Sequence, residues 1–428
     1  MLYPSAEAPP ETTRTQATIE VATAALEAGL ATIEQVHTAI ARKPFAVLRL
    51  APGVGEVSEV VRVVHDGITS LVYGSLRTAI VVAGGAARLA ARCVPADTAE
   101  RPRGSTAELA EMAVAALNGW AGERLEHHGN PLATKMGVRH RGRSVAPERT
   151  ALAAAFPDAT PRVAVFVHGL ASSETMWNLH AERHYGDRHT NYGSRLQADL
   201  GYTPLYVRYN SGLHISDNGR QLAQLLDRVV SAWPVPIDEL LIVGHSMGGL
   251  VARSGCHYGQ EAGLGWVDRV RHVVFLGSPH LGAPLEKVTN AATWLLGLTD
   301  VTRPFADALN TRSVGIKDLR FGAVLDDHWR GADLDALLEN RTGDVPLLPS
   351  ANHYFVAATL TRSPRHPVAV AIGDLLVREA SAFGRGRVRQ LQFPIEHGRH
   401  VGAMHHLALL NHPDLYEQMR RWIAPSTD

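Results

Sequence analysis

The chain has 428 residues, 45% of them hydrophobic and 20% charged, with 42 basic residues balanced by 42 acidic ones. That length supplies one large domain with an appendage, or two domains, and ample material for a buried core. The neutral balance, with no basic stripe interleaved with aromatics, argues against nucleic-acid binding.

Residues 1–15 are rich in Pro, Thr and Glu and are expected to be disordered. They hold no basic region followed by an apolar stretch, so no secretory signal is expected and the cytoplasm is the default compartment. The two cysteines, Cys93 and Cys256, make no disulfide framework; a single bridge is formally possible, and both are read as reduced. Apolar residues recur at three and four from Ala17 to Ile40 and from Val57 to Leu89, where Val57, Val60, Val61, Val64, Ile68, Leu71 and Val72 form one stripe. A third helical stretch runs from Thr106 to Leu125. Residues 16–150 are therefore expected to form a helical region, acting as a packing module or as a contact with a membrane surface or partner. Its most apolar segment, Ile68 to Ala91, is interrupted by Arg77, Arg88 and paired glycines, and its uncharged core is too short to span a bilayer.

After a linker rich in Arg and Pro, Val138 to Pro161, the pattern changes. Short apolar runs, Val163–Val167, Leu205–Tyr209, Leu240–Val243, Val273–Leu276, Tyr354–Leu360 and Leu391–Ile395, alternate with amphipathic helices, one of them from Asn218 with Asp217 as its cap and the last from Pro413. Such alternation predicts an α/β domain over residues 160–425 with a mostly parallel sheet covered on both faces. The stretch from about 285 to 349, with Trp294, Leu295, Leu296, Leu298 and Phe305, is long for a connection and is read as a lid above the carboxyl ends of the strands.

The richest segment is Leu240-Leu241-Ile242-Val243-Gly244-His245-Ser246-Met247-Gly248-Gly249. An apolar run that ends in a serine framed by glycines fits a strand, a sharp turn and a helix start, the geometry that exposes a nucleophilic hydroxyl. Serine is a weak nucleophile unless a base takes its proton and an acid orients that base, and in this arrangement acid and base follow the serine in that order. Asp374 is the candidate acid; it could at the same time cap a helix over Leu375 to Ala382. Asp300, Asp307, Asp326, Asp327 and Glu396 are weaker candidates. His405 and His406, just before the terminal helix, compete for the base, while His397 and His400 look like exposed loop positions. For the oxyanion hole, the backbone N–H of Met247 is one donor and that of Leu170, in Val167-His168-Gly169-Leu170, the other. His168 is expected to be a buried residue that ties down this loop.

With these residues in place the chain resembles the α/β-hydrolase superfamily, and within it bacterial triacylglycerol lipases and inositol-deacylase-like serine esterases. The resemblance covers roughly residues 160–423 and is carried by VFVHGL, LLIVGHSMGGLVAR, FLGSPHLGAP, GDLLV and MHHLALLN. It implies Asp374 as acid and His406 as base, with His405 the runner-up; Leu375 departs from the glycine usual in lipases. It further implies hydrolysis of acyl or lipid esters through an acyl-serine intermediate, without a cofactor. His180, His184, Asp187 and His189 could be imagined as metal ligands but read better as solvated loop residues, so no metal is expected. The expected partner is a small-molecule acyl ester or lipid, with peripheral membrane contact through the amino-terminal helices or the lid. Acyl transfer to an alcohol, or a binding module without catalysis, are the alternatives.

Overall fold

Five of the six apolar runs become strands of a single sheet. The computed structural model describes residues 105–283, 313–331, 343, 345–366, 373–374, 376–385 and 390–424, together with residues 34, 73, 74 and 77. Two compact units divide the chain, residues 1–117 and 118–428. In the first, the four isolated described residues are helical and Arg77 pairs with Glu34; the rest of the helices expected at Ala17–Ile40 and Val57–Leu89, the tail 1–15 and Cys93 lie outside the described residues. Helix α1, Ser105–His127, carries a break in helical backbone at Ala121 (φ −130°).

The second unit runs β1 (Gly137–His140), β2 (Arg143–Val145), α2 (Arg149–Ala155), β3 (Arg162–Val167), α3 (Ala181–Tyr185), α4 (Tyr192–Leu200), β4 (Thr203–Arg208), α5 (Ile215–Ala232), β5 (Glu239–His245), α6 (Met247–Glu261), β6 (Val270–Leu276), α7 (Val314–Asp318), β7 (Asn352–Ala358), α8 (Glu379–Ala382), β8 (Gly398–Val401) and α9 (Pro413–Ile423). The eight strands lie in the order β2-β1-β4-β3-β5-β6-β7-β8. From β4 to β8 all pairs are parallel, while β1 is antiparallel to both β2 and β4. This is the α/β-hydrolase fold.

Period-two alternation divides the core. Val163, Val165 and Val167 of β3 with Leu240 and Ile242 of β5 face one side, where Leu222 and Leu226 of α5 and Val251 of α6 cover them. Ala164, Phe166, Leu241 and Val243 face the other, against Leu196 of α4 and Leu415, Met419 and Ile423 of α9. Strands buried on both faces read as unbroken apolar runs, which is why β3 and β5 stand out in the sequence. Between β3 and β5 the strand order reverses, since β4 lies on the far side of β3. Loops leaving the carboxyl ends of β3 and β5 therefore diverge over a crevice, the usual ligand position in open α/β sheets.

Several expectations are corrected. The stretch read as a linker contains the hairpin β1–β2 and helix α2; its strands carry Arg139, Arg143 and His140, so no apolar run marks them. The last strand is Gly398–Val401, not Leu391–Ile395: Pro394 offers no N–H to a ladder, Phe393 stacks on Phe355 at 4.0 Å, and Ile395 is 80% exposed in a turn of 3-10 helix. His400 consequently sits in β8 beside the Thr359 hydroxyl at 2.8 Å, and His397 ends that 3-10 turn packed on Tyr354, so neither is an exposed loop residue. Asp217 lies within the first turn of α5; the N-cap position is His214, and the Ile215 N–H is taken at 2.8 Å by the carboxylate of Asp318 from α7. Of the expected lid, the apolar residues Trp294 to Phe305 lie outside the described residues, while α7 and residues 321–331 pack on the domain. Among the described residues no helix is long and apolar enough to cross a membrane.

Candidate active site

Strand β5 delivers Ser246 into a backbone conformation (φ 55°, ψ −126°) that L residues rarely adopt, and α6 begins at the next residue. The turn closes because its neighbours are small. A Cβ on Gly244 would fall 2.5 Å from the Cα of Gly249, and one on Gly248 would overlap the carbonyl oxygens of Val167 and His168. The elbow and the loop after β3 are thus pressed together, and a Cβ on Gly169 would lie 3.1 Å from that of Ser246. Ser246 itself stays partly exposed.

The loop after β3 is held from several sides. His168 is fully buried, its Nδ1 is 2.8 Å from the carbonyl of Gly169, and its Nε2 accepts the N–H of Tyr209 at 3.3 Å. Burial pushes its pKa down from 6.5 to about 4, so the ring is neutral. The N–H of Gly169 is directed at the sulfur of Met176 (3.4 Å) and that of Ala171 donates to the Ser211 hydroxyl (2.9 Å). Leu170, between them, has an N–H with no hydrogen-bond partner among the described residues. Met247 opens α6, where the first N–H groups of a helix lack acceptors within the helix and carry the positive end of its dipole.

His406 and Asp374 meet below this crevice. The imidazole Nδ1 is 2.7 Å from Asp374 Oδ2, and both residues are buried, at 3% and 1% exposure. Asp374 follows Gly373, whose φ of 62° turns the chain, and its other oxygen accepts the N–H groups of Leu376 (3.0 Å) and Val377 (2.8 Å). It closes an Asx-type turn rather than capping a helix over Leu375–Ala382; the described helix starts only at Glu379. Buried His406 Nε2 has no hydrogen-bond partner among the described residues. The His406 ring stands 4.7 Å from that of His245, the residue before the serine. Burial, and next the proximity of His406, hold the His245 pKa well below its usual value, so no second positive charge competes with the neighbouring base.

Of the residues singled out in the sequence, the fold brings Ser246, Gly244, His245, Met247, Gly248, Leu170, Asp374 and His406 to one sheet edge. His405 is exposed and turned toward His180, with ring centroids 6.2 Å apart. Asp326 pairs with Arg220 (2.7 Å), and Asp187 is occupied by the His189 N–H and the Thr190 hydroxyl of its own turn. Among the described residues no three His, Cys, Asp or Glu side chains converge as a metal site. Gly277 was not singled out in the sequence. It turns the chain after β6 with φ 61°, and a Cβ there would press on the His406 ring at 3.0 Å. Its place directly after an apolar strand, in FLGS, is the signal that could have found it.

Residues 158–338 match the family model described as a PGAP1-like alpha/beta domain. No curated protein matches the chain. Among solved structures, it is similar to a mature lipase from Bacillus licheniformis (18% identity, 61% of this chain and 91% of that one, TM-score 0.39). An esterase from Pyrococcus furiosus is similar at 14% identity over 62% of this chain and 83% of its own, with TM-score 0.32. A phospholipase from Legionella pneumophila is similar at 12% identity over 62% and 58%, with TM-score 0.34.

Proposed function

We propose, from the α/β-hydrolase fold of the sheet and the match of residues 158–338 to a PGAP1-like alpha/beta domain, that the chain is a serine carboxylic-ester hydrolase that works through an acyl-serine intermediate. The observation that carries this reading is the buried Asp374–His406 pair at 2.7 Å, with the outer imidazole nitrogen uncommitted and the ring 4.7 Å from that of His245, the residue before a serine in a strained turn. In this reading His406 Nε2 takes the proton of Ser246 Oγ as that oxygen attacks the acyl carbon. The negative oxygen that develops is met by the N–H groups of Met247 and Leu170, donors fixed before the reaction begins. His406 then returns the proton to the leaving alcohol, and a water activated by the same ring cleaves the acyl-serine. Asp374 keeps Nδ1 protonated and steadies the imidazolium. The proposed substrates are acyl or lipid esters, and no step calls on a cofactor.

A fluorophosphonate probe tests the proposal directly. Covalent labelling of the wild-type chain at Ser246, with loss of both labelling and p-nitrophenyl ester turnover in a folded Ser246→Ala variant, is the expected result. Turnover that survives in Ser246→Ala refutes it.

A further inference from the structure

The amino-terminal helix α1 ends against the loop that holds the proposed oxyanion donor. A Cβ built on Gly119 would lie 2.6 Å from the Cβ of Ala171, 2.7 Å from its Cα and 3.0 Å from its nitrogen, so only a glycine lets the helix approach this closely. Ala171 is held at φ 53°, a left-handed conformation unfavourable for a residue with a Cβ. Several bonds keep helix and loop in register. Ser313 donates to the Gly119 carbonyl (2.6 Å), Asn210 donates to the Gly122 carbonyl (3.0 Å), and the Ser211 hydroxyl accepts the Ala171 N–H (2.9 Å). Ser211 is 1% exposed and Asn210 equally so.

Resting on the ester-hydrolase reading, we infer that Ser211 and Gly119 are positioning residues, which fix the strained Ala171 so that the Leu170 N–H is the one main-chain donor of the loop turned toward the reacting oxygen. Three consecutive N–H groups leave the loop, at Gly169, Leu170 and Ala171. The first is directed at Met176 sulfur and the third at the Ser211 hydroxyl, on either side of the middle one. Without the Ser211 oxygen, the Ala171 N–H loses the acceptor that holds this residue at φ 53°, and the simplest relaxation is rotation of the 170–171 peptide out of its left-handed conformation. The change is passed through the Leu170 Cα to the adjoining 169–170 peptide, which carries the Leu170 N–H, and shifts that donor. The carboxyl-terminal half of α1 thereby acquires a part in the reaction, as a stop against which the loop rests.

The test uses the full chain with Ser211→Ala, Ser211→Thr and Gly119→Ala variants, measuring kcat and KM on a p-nitrophenyl ester, inhibition by a trifluoromethyl ketone, and urea unfolding. Ketone adducts place an oxyanion in the hole and so report its donors separately from substrate binding. Loss of an oxyanion donor costs about 100- to 1,000-fold, so a displaced one in Ser211→Ala is expected to lower kcat roughly 10- to 100-fold, with KM within about 2-fold and ketone affinity falling in parallel. Ser211→Thr, which keeps the hydroxyl, restores both. Gly119→Ala should behave like Ser211→Ala; if it does not fold, the Ser211 pair decides alone, because removal of one oxygen creates no clash. A folded Ser211→Ala enzyme with unchanged kcat, or with lowered kcat and undiminished ketone affinity, overturns the inference. Failure of the underlying reading looks different: the wild-type chain is then neither labelled by a fluorophosphonate nor active on the ester.

Discussion

His406 meets Asp374 twice: its ring Nδ1 lies 2.7 Å from the carboxylate, and its backbone N–H donates to the main-chain carbonyl of the same residue at 3.0 Å. Backbone and side chain are thus registered to each other, and Asp374 Oδ1 is held separately by two N–H groups of its own turn. Asp374→Asn should therefore keep the fold while presenting an amide to Nδ1, which favours the wrong imidazole tautomer. We expect kcat to fall by about 1,000- to 10,000-fold with little change in KM. Steady-state kinetics beside an unfolding curve check this; a loss below about tenfold would remove Asp374 from the acid role.

The adjacent histidines separate cleanly. His405 is exposed and lies toward His180, whereas His406 is 3% exposed and bonded to Asp374. His405→Ala should retain activity within a few-fold, and His406→Ala should lose at least about 100-fold, the lower range for a general base. Equal losses in the two variants would be incompatible with the geometry.

How much of this was legible follows the physics of each element. Strands buried on both faces are continuous apolar runs, so β3, β5 and the elbow could be read directly, and the glycines at 244 and 248 marked the close approach of helix and strand. Strand β8 could not: it is a four-residue strand, Gly-Arg-His-Val, at the edge of the sheet among the described residues, beside β7, and nothing in its side chains requires burial. The loop LQFPI was more apolar because Leu391 and Phe393 pack on Gly384 and Phe355, a tertiary contact no local pattern encodes. The same holds for α5, whose first N–H is satisfied by Asp318, 103 positions later in sequence. The choice of His406 over His405 came from resemblance; periodicity alone left both open, since adjacent residues differ only in which way the chain turns.

Buried neutral histidines make acid the weak side of this fold. Burial is the leading cause in His168 and His353 alike, and each is pushed down from 6.5 to about 4. Between those values the unfolded chain binds protons that the folded chain does not, so stability is complete above the ordinary histidine value and falls as pH drops from 6.5 toward 4. At pH 5 each residue costs about 2 kcal/mol, at 1.36 kcal/mol per pH unit. Urea midpoints at pH 7.5 and 5 measure the loss, and His353→Gln should flatten it; an unchanged pH slope in that variant contradicts the account.

Glu174 adds a second acid-sensitive device beside the oxyanion loop. Its carboxylate takes Arg139 at 3.1 Å and Arg208 at 2.5 Å, tying the 3-10 turn after the loop to strands β1 and β4. Burial alone would raise its pKa, but the two guanidinium groups outweigh that and lower it. The stability it contributes is present above the ordinary carboxylate value and lost as pH falls through its depressed one. Glu174→Gln leaves two arginines without their shared anion, and we expect destabilisation of about 3 kcal/mol at neutral pH. A urea midpoint within error of wild type would show that the arginines find other partners.

The proposed nucleophile itself carries the last prediction. Ser246 occupies φ 55°, ψ −126°, a conformation that costs on the order of 1–3 kcal/mol for a residue with a Cβ. Glycine tolerates it, although glycine also gives the unfolded chain more freedom, an opposing effect of up to about 1 kcal/mol. Strain relief should win, because Ser246 Oγ makes no hydrogen bond among the described residues that its removal would sacrifice. Ser246→Gly is therefore expected to be inactive and more stable than wild type by about 1 kcal/mol, the trade-off of a residue placed for chemistry rather than for folding. Differential unfolding in urea decides the point, and a Ser246→Gly protein less stable than the wild type would mean that the turn is held without strain.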